Sequence, residues 1–239
     1  QSFNGDVKHQ KIYDVDDILD VVLRDKEYFA SSKGGVTLSG GEPFLQDPES
    51  LIGLIKTLRK ENIHVAAETA LLAPWKNIRK VAPYIDLFLV DLKVVGDEDL
   101  HVKYTQHDTT VIHENLRKLL ELGVNIKFRM VMVPGLTDIE SNIEATSEFL
   151  KSIGHDSIEL MKYHNMYEDK AERLELKIPS LEITPEQSIE SVQKGVKLFN
   201  SQGIEAENVD LDMDSGSQAK EATFTLRVRR IQKAIKQQH

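Results

Sequence analysis

The segment Ser39-Gly40-Gly41-Glu42-Pro43 sets two glycines and a carboxylate at the end of a short apolar run. Without Cβ atoms, Gly40 and Gly41 let a ligand approach the main chain, and the Glu42 carboxylate can accept hydrogen bonds from a ligand ammonium. The same residues also suit a tight strand-to-helix turn with a solvated glutamate, and the local sequence leaves both readings open. Farther along, Glu68-Thr69, Asp91 with Lys93, Arg129 and His164 add carboxylates, a hydroxyl, an amine, a guanidinium and an imidazole. Together these groups predict a convergent polar pocket. Thiol chemistry is excluded from these residues, because the chain contains no cysteine. It therefore offers no disulfide, thiol nucleophile, Cys-ligated zinc or Cys-ligated cluster.

These residues lie at or just beyond short β-type runs that alternate with amphipathic stretches, the pattern of an α/β fold built on a parallel sheet. The predicted strands are 36–39, 64–69, 87–91, 126–133 and 157–161, with a weaker one at 205–210. A helix is expected over 15–30, where Ile18, Leu19, Val22, Leu23 and Phe29 share one side. Further helices are expected at 48–61, after a capping Asp47, at 110–122 before Gly123, and at 138–153 before Gly154. Thr184-Pro185 opens another that runs to Gly203. In parallel α/β folds the strand ends share one face where ligands bind, so the polar residues named above are expected on one rim.

A chain of 239 residues can bury its own core, and one domain is expected over 1–211. The segment 212–217 reads as a linker. From Lys220 to Lys236 basic residues alternate with Phe224, Val228, Ile231 and Ile235, and a C-terminal amphipathic basic helix is expected over that tail. The net charge of −9 opposes a broad phosphate-binding surface, so no nucleic acid partner is expected. No apolar run approaches the length of a membrane span, no membrane partner is expected, and a cytoplasmic location follows as the default.

The run Gly34-Gly35-Val36-Thr37-Leu38-Ser39-Gly40-Gly41-Glu42-Pro43-Phe44-Leu45-Gln46 closely resembles the segment of radical S-adenosylmethionine (SAM) activating enzymes that contacts the methionyl part of SAM. Glu68-Thr69, Asp91-Leu92-Lys93, Arg129 with Val133-Pro134-Gly135, and Tyr163-His164 follow in the order and spacing of the pyruvate formate-lyase activating enzyme family, over roughly residues 12–210. The resemblance implies a partial parallel β/α (TIM-like) barrel of the radical SAM type. It implies that Gly40, Gly41 and Glu42 face the SAM amino group, and that Asp91 and Lys93 line its ribose and carboxylate. His164 would lie near the adenosine, and Arg129 would serve the SAM carboxylate or the substrate backbone. Glu68, Thr69 and Asp91, with the Leu89 carbonyl, match positions that hold a monovalent cation in some members. Ala70-Leu71 departs from the Asn-or-small and Gly residues common there, so the turn is expected to differ.

By the same resemblance the intact protein would use SAM and a [4Fe–4S] cluster. It would cleave SAM reductively to a 5′-deoxyadenosyl radical and abstract a glycine hydrogen from a partner glycyl radical enzyme. Its electrons would come from a reduced flavodoxin- or ferredoxin-type donor. The family's Cys-x3-Cys-x2-Cys loop has no counterpart in these residues, so the chain has no catalytic cluster ligands of its own. It is expected to be a fragment that lacks the first strand and the cluster loop, to be inactive alone, and to expose an open edge beside strand 36–39. The alternatives are a cluster-free, non-catalytic domain that binds a nucleoside or a protein partner, and a Schiff-base lyase using Lys93.

Overall fold

The structure is a computed structural model that describes residues 15–32, 34–164, 181–210 and 223–227. The chain divides into two compact units. Among the described residues, one unit takes 15–90, 110–126 and 223–227, and the other takes 91–109 and 127–210.

The first unit carries strands β1 (Gly35–Ser39), β2 (His64–Thr69), β3 (Leu87–Leu92, whose last two residues fall to the second unit) and β7 (Thr223–Arg227). They lie in the order β3-β2-β1-β7, and every pairing is parallel. Parallel strands covered by helices on their faces are apolar along most of their length, and β1 and β2 fit that rule. Val36, Thr37, Leu38, Val65, Ala66, Ala67 and Thr69 are all buried. Gly35 is required at the start of β1. A Cβ there would stand 2.2 Å from the His64 carbonyl oxygen on the neighbouring strand.

Helix α3 (Pro48–Lys60) packs against β2, its N-terminus capped by Asp47, which accepts from Ser50 N at 2.9 Å. Leu51, Leu54, Ile55 and Leu58 form its fully buried stripe, at the spacing of one helical face. The helix expected over 15–30 is two helices, α1 (Val15–Arg24) and α2 (Lys26–Ser32). The break falls at Asp25, whose N–H donates back only three residues, to the Val22 carbonyl. Two further helices, α4 (Trp75–Val81) and α6 (Thr110–Glu121), complete the unit.

The second unit carries β4 (Ile126–Met132, whose first residue falls to the first unit), β5 (Ser157–Lys162) and β6 (Glu205–Asn208), parallel and in that order. Its helices are α5 (Glu98–Thr105), α7 (Glu140–Ser152) and α8 (Pro185–Ser201). Thr184 and Gln187 form a full capping box at the start of α8. Gly195 lets that helix lie close against the sheet, since a Cβ would meet Met132 Cε at 2.5 Å and Leu160 Cδ1 at 3.2 Å.

Two expectations about the tail and the edge need correction. Thr223–Arg227 is a strand, not part of a helix, and it pairs in parallel with the whole of β1, from Gly35 opposite Thr223 to Ser39 opposite Arg227. The edge expected to lie open beside β1 is therefore occupied by β7. The sequence Thr-Phe-Thr-Leu-Arg alternates with a period of two and includes two β-branched residues, a pattern that favours a strand. The rest of the expected tail helix and the 212–217 linker lie outside the described residues. No helix among the described residues is long and apolar enough to cross a membrane.

Candidate functional site

The glycine pair after β1 adopts a conformation open to few other residues. Gly40 has φ +98° and Gly41 φ +101°, values that L-residues with a side chain rarely reach. Among the described residues, its chain neighbours aside, no atom lies within 4 Å of where a Gly41 Cβ would stand. The turn is anchored beneath by Pro43-Phe44-Leu45, a short 3-10 helix. Phe44 is fully buried and stacks on Phe88 with ring centroids 5.8 Å apart, and the Phe44 carbonyl accepts from Asn77 Nδ2 at 2.9 Å.

Glu42 is held as firmly. Its carboxylate accepts from Thr69 Oγ1 at 2.8 Å at both oxygens, from Ala70 N at 3.2 Å and from Phe44 N at 3.3 Å. Burial raises its pKa above the ordinary glutamate value, while the Thr69 hydroxyl and the backbone of Phe44, Ala70 and Leu72 pull the other way. Thr69 has one hydroxyl proton to share between the two oxygens. Phe44, Ala70 and Leu72 bring their backbone donors to the same carboxylate, so its direction is set from several sides.

The turn after β2 passes through Ala70-Leu71. Leu71 takes φ +60°, the left-handed region, at a cost of about 1–2 kcal/mol for a residue with a side chain. It is fully buried, and burying a leucine side chain offsets that cost by about 1.5–3 kcal/mol. Its N–H donates to Thr69 Oγ1 at 2.8 Å, and its carbonyl accepts from Asn115 Nδ2 at 2.8 Å. For the expected cation position, the register sets Glu68 opposite Leu89 and Thr69 opposite Val90. The Thr69 hydroxyl is already engaged on both its donor and acceptor sides. Among the described residues no group of three or more His, Asp or Glu gathers as metal ligands.

In the second unit, Asp91 lies between two cations. Its Oδ1 is 3.6 Å from Arg129 Nε and its Oδ2 is 3.4 Å from Lys93 Nζ. The Asp91 and Arg129 side chains are 15% and 14% exposed, so this pair is screened less than a surface ion pair. Among the described residues Asp91 Oδ1 is buried and accepts no hydrogen bond, with the Arg129 guanidinium its ion-pair partner. Arg129 sits in the middle of β4 instead of at its end, with Nη2 3.0 Å from Met161 Sδ. His164 is exposed, two residues past the end of β5.

The structure thus joins Glu42 to Thr69, and Asp91 to Lys93 and Arg129. Sequence reasoning missed Asn115 and Asn142. Asn142, on α7, accepts from Val95 N at 2.7 Å and donates to the Thr137 carbonyl at 3.0 Å. Both asparagines are buried within helices, at positions where periodicity asks for an apolar residue. That polar interruption of an apolar face was the available signal.

Residues 2–150 match the radical SAM superfamily. The chain is 34% identical over 186 residues to the trans-4-hydroxy-L-proline dehydratase activating enzyme of Clostridioides difficile, covering 76% of this chain and 61% of that protein. It is 34% identical over 185 residues to the pyruvate formate-lyase-activating enzyme of Clostridium pasteurianum, covering 76% of each. The crystal structure of a domain of pyruvate-formate lyase-activating enzyme from Bacteroides vulgatus is similar at a TM-score of 0.56 and 29% identity, over 73% of this chain and 98% of that domain. The chain spans about three fifths of the first relative's length. The [4Fe–4S] cluster of radical SAM enzymes is held by thiolates, and the residues here do not fit it, because none is a cysteine. The fold is the α/β, parallel-strand fold of the radical SAM partial barrel, and the chain belongs to the radical SAM superfamily, among its glycyl-radical-enzyme activating enzymes.

Proposed function

We propose that this chain is the SAM-holding part of an activating enzyme for a glycyl radical enzyme. The observation that carries this reading is the Gly40-Gly41-Glu42 turn. It combines two left-handed glycines, a Gly41 Cβ position with no atom of the described residues beyond its chain neighbours within 4 Å, and a carboxylate fixed by Thr69, Ala70 and Phe44. In this reading the SAM ammonium donates to Glu42, and the glycine main chain admits the methionyl part. Asp91 Oδ1, which accepts no hydrogen bond among the described residues, would accept from a ribose hydroxyl, and Lys93 and Arg129 would supply positive charge for the SAM carboxylate. His164 would stand by the adenosine. A monovalent cation near Glu68, Thr69, Asp91 and the Leu89 carbonyl belongs to the same proposal, with Thr69 contributing least because its hydroxyl is already engaged.

In the family, the cluster supplies the electron that cleaves SAM. No residue of this chain can ligate it through a thiolate, so the contribution assigned to these residues is binding and orientation, and the chain alone is expected not to cleave SAM. The proposed partners of the whole protein are a glycyl radical enzyme, whose glycine hydrogen is abstracted, and a reduced flavodoxin- or ferredoxin-type donor. Titration calorimetry of the chain with SAM tests the binding role. Loss of one charge-assisted hydrogen bond of about 1.5–3 kcal/mol corresponds to at least a tenfold loss of affinity in Glu42→Ala. The surface change Lys56→Ala should leave affinity unaltered. SAM binding that Glu42→Ala does not weaken would reject the assignment.

A further inference from the structure

Asn115 lies on α6, far in sequence from the glycine turn, between apolar positions that include the buried Leu116 and Leu119. An apolar side chain would serve that helix face as well. The residue is instead an amide, 2% exposed, and it donates through Nδ2 to the carbonyls of Leu71 and Ala73, each at 2.8 Å. Two carbonyls two residues apart, tied to one amide, fix the peptide planes of the turn that follows β2. Held in this way, the turn presents the Leu71 N–H to Thr69 Oγ1 at 2.8 Å. That donation occupies an acceptor lone pair of the hydroxyl and leaves its proton for Glu42, 2.8 Å away. Ala70, within the same turn, adds its own N–H to Glu42. The turn cannot rely on its own backbone preference, because Leu71 at φ +60° is a conformation a leucine tends to leave.

We infer that Asn115 is a positioning residue, which holds the 69–73 turn so that Thr69 and Ala70 aim the Glu42 carboxylate at its ligand. The inference rests on the proposed SAM-binding role for the ligand's identity, though not for the mechanical coupling between Asn115 and Glu42. A change at Asn115 should therefore act on whatever Glu42 contacts and leave other parts of the ligand's recognition alone.

Two measurements on the chain test this. In the first, amide hydrogen exchange is compared between the chain and Asn115→Leu. Exchange at Ala70 and Leu71 should accelerate at least tenfold, while Val65 and Ala67 within β2 keep their protection. Unchanged exchange at Ala70 and Leu71, or a uniform acceleration across β2, would overturn the coupling. In the second, the affinities of SAM and of a SAM analogue lacking the α-amino group are measured for the chain, Asn115→Leu, Glu42→Gln and the double variant. Asn115→Leu should weaken SAM about tenfold and the analogue less than about twofold, with no further loss in the Glu42→Gln background. Equal losses for both ligands, or a full loss that persists without the Glu42 carboxylate, would overturn the inference. If SAM does not bind the unaltered chain, the SAM reading fails, and the exchange result alone decides the positioning role. Should Asn115→Leu not fold, Asn115→Ser, with a single donor, is read in the same way and should show intermediate effects.

Discussion

Replacing Thr69 by valine keeps the shape of the side chain and removes only its hydroxyl. That hydroxyl donates to Glu42 and accepts from Leu71 N, in a position that is 2% exposed. The lost hydrogen bond to a carboxylate is worth about 1.5–3 kcal/mol, and the stranded, buried Leu71 N–H costs about 1–3 kcal/mol more. Thr69→Val should therefore destabilise the first unit by about 4 kcal/mol at neutral pH, within a range of about 2.5–6. Thr69→Ser removes a methyl and keeps the hydroxyl, so it should cost only about 1 kcal/mol. Urea denaturation followed by the fluorescence of Trp75, the single tryptophan, reports this unit; the midpoint should fall with little change in slope. The effect carries a pH signature. Burial raises the Glu42 pKa, and the Thr69 hydrogen bond opposes that rise by favouring the charged form. The bond thus matters most above the Glu42 pKa, and the destabilisation should shrink as pH falls through it. A loss below about 1 kcal/mol at neutral pH, or one equally large below the Glu42 pKa, would refute the reasoning.

Gly35→Ala drives a Cβ to 2.2 Å from the His64 carbonyl; backbone cannot yield as a flexible side chain would, so a loss of about 3 kcal/mol or more is expected from urea denaturation. Asp91→Asn removes the carboxylate charge that the largely buried Arg129 shares with Lys93. It should cost about 3 kcal/mol and lower the thermal midpoint by roughly 6–12 °C, whereas an unchanged midpoint would show that the pair is not stabilising. If SAM binds as proposed, its affinity should rise with pH as Glu42 ionises, because burial keeps that carboxyl neutral to higher pH than an ordinary glutamate; calorimetry on Glu42→Gln should find the slope abolished.

The parallel strands and their helices were legible because each carries its own local signal. His64–Thr69 was read to the residue from a short apolar run, and Asp47 and Thr184 announce the helices they cap. The helix over 15–30 was read as continuous because its apolar stripe continues past Asp25, whereas the hydrogen-bond ladder does not. Helices α4 and α5 were not read, being only seven and eight residues long, and α5 carries a weak apolar stripe. The tail was misread because Phe224, Val228, Ile231 and Ile235 also fit a helical face, and the competing alternation over 223–227 spans only five residues. Of the candidate site, Gly40, Gly41 and Glu42 stood out by residue type. Asn115 did not, because nothing in the sequence reveals which carbonyls a distant asparagine will meet.

The pairing of β7 with β1 also sets an order of events on the ribosome. Gly35 emerges early and its partner Thr223 late, and at about 5–20 residues per second roughly ten to forty seconds separate them. Throughout that interval β1 and β2 can pair, but the edge of β1 that β7 takes has not yet received that strand. Contacts this distant in sequence also slow folding, since a long loop must close before they form. The glycine turn, which leaves β1 at its C-terminal end, therefore sits on a strand that receives β7 only after Thr223 to Arg227 have been made. Nascent chains stalled between the two strands should be the species most dependent on chaperones.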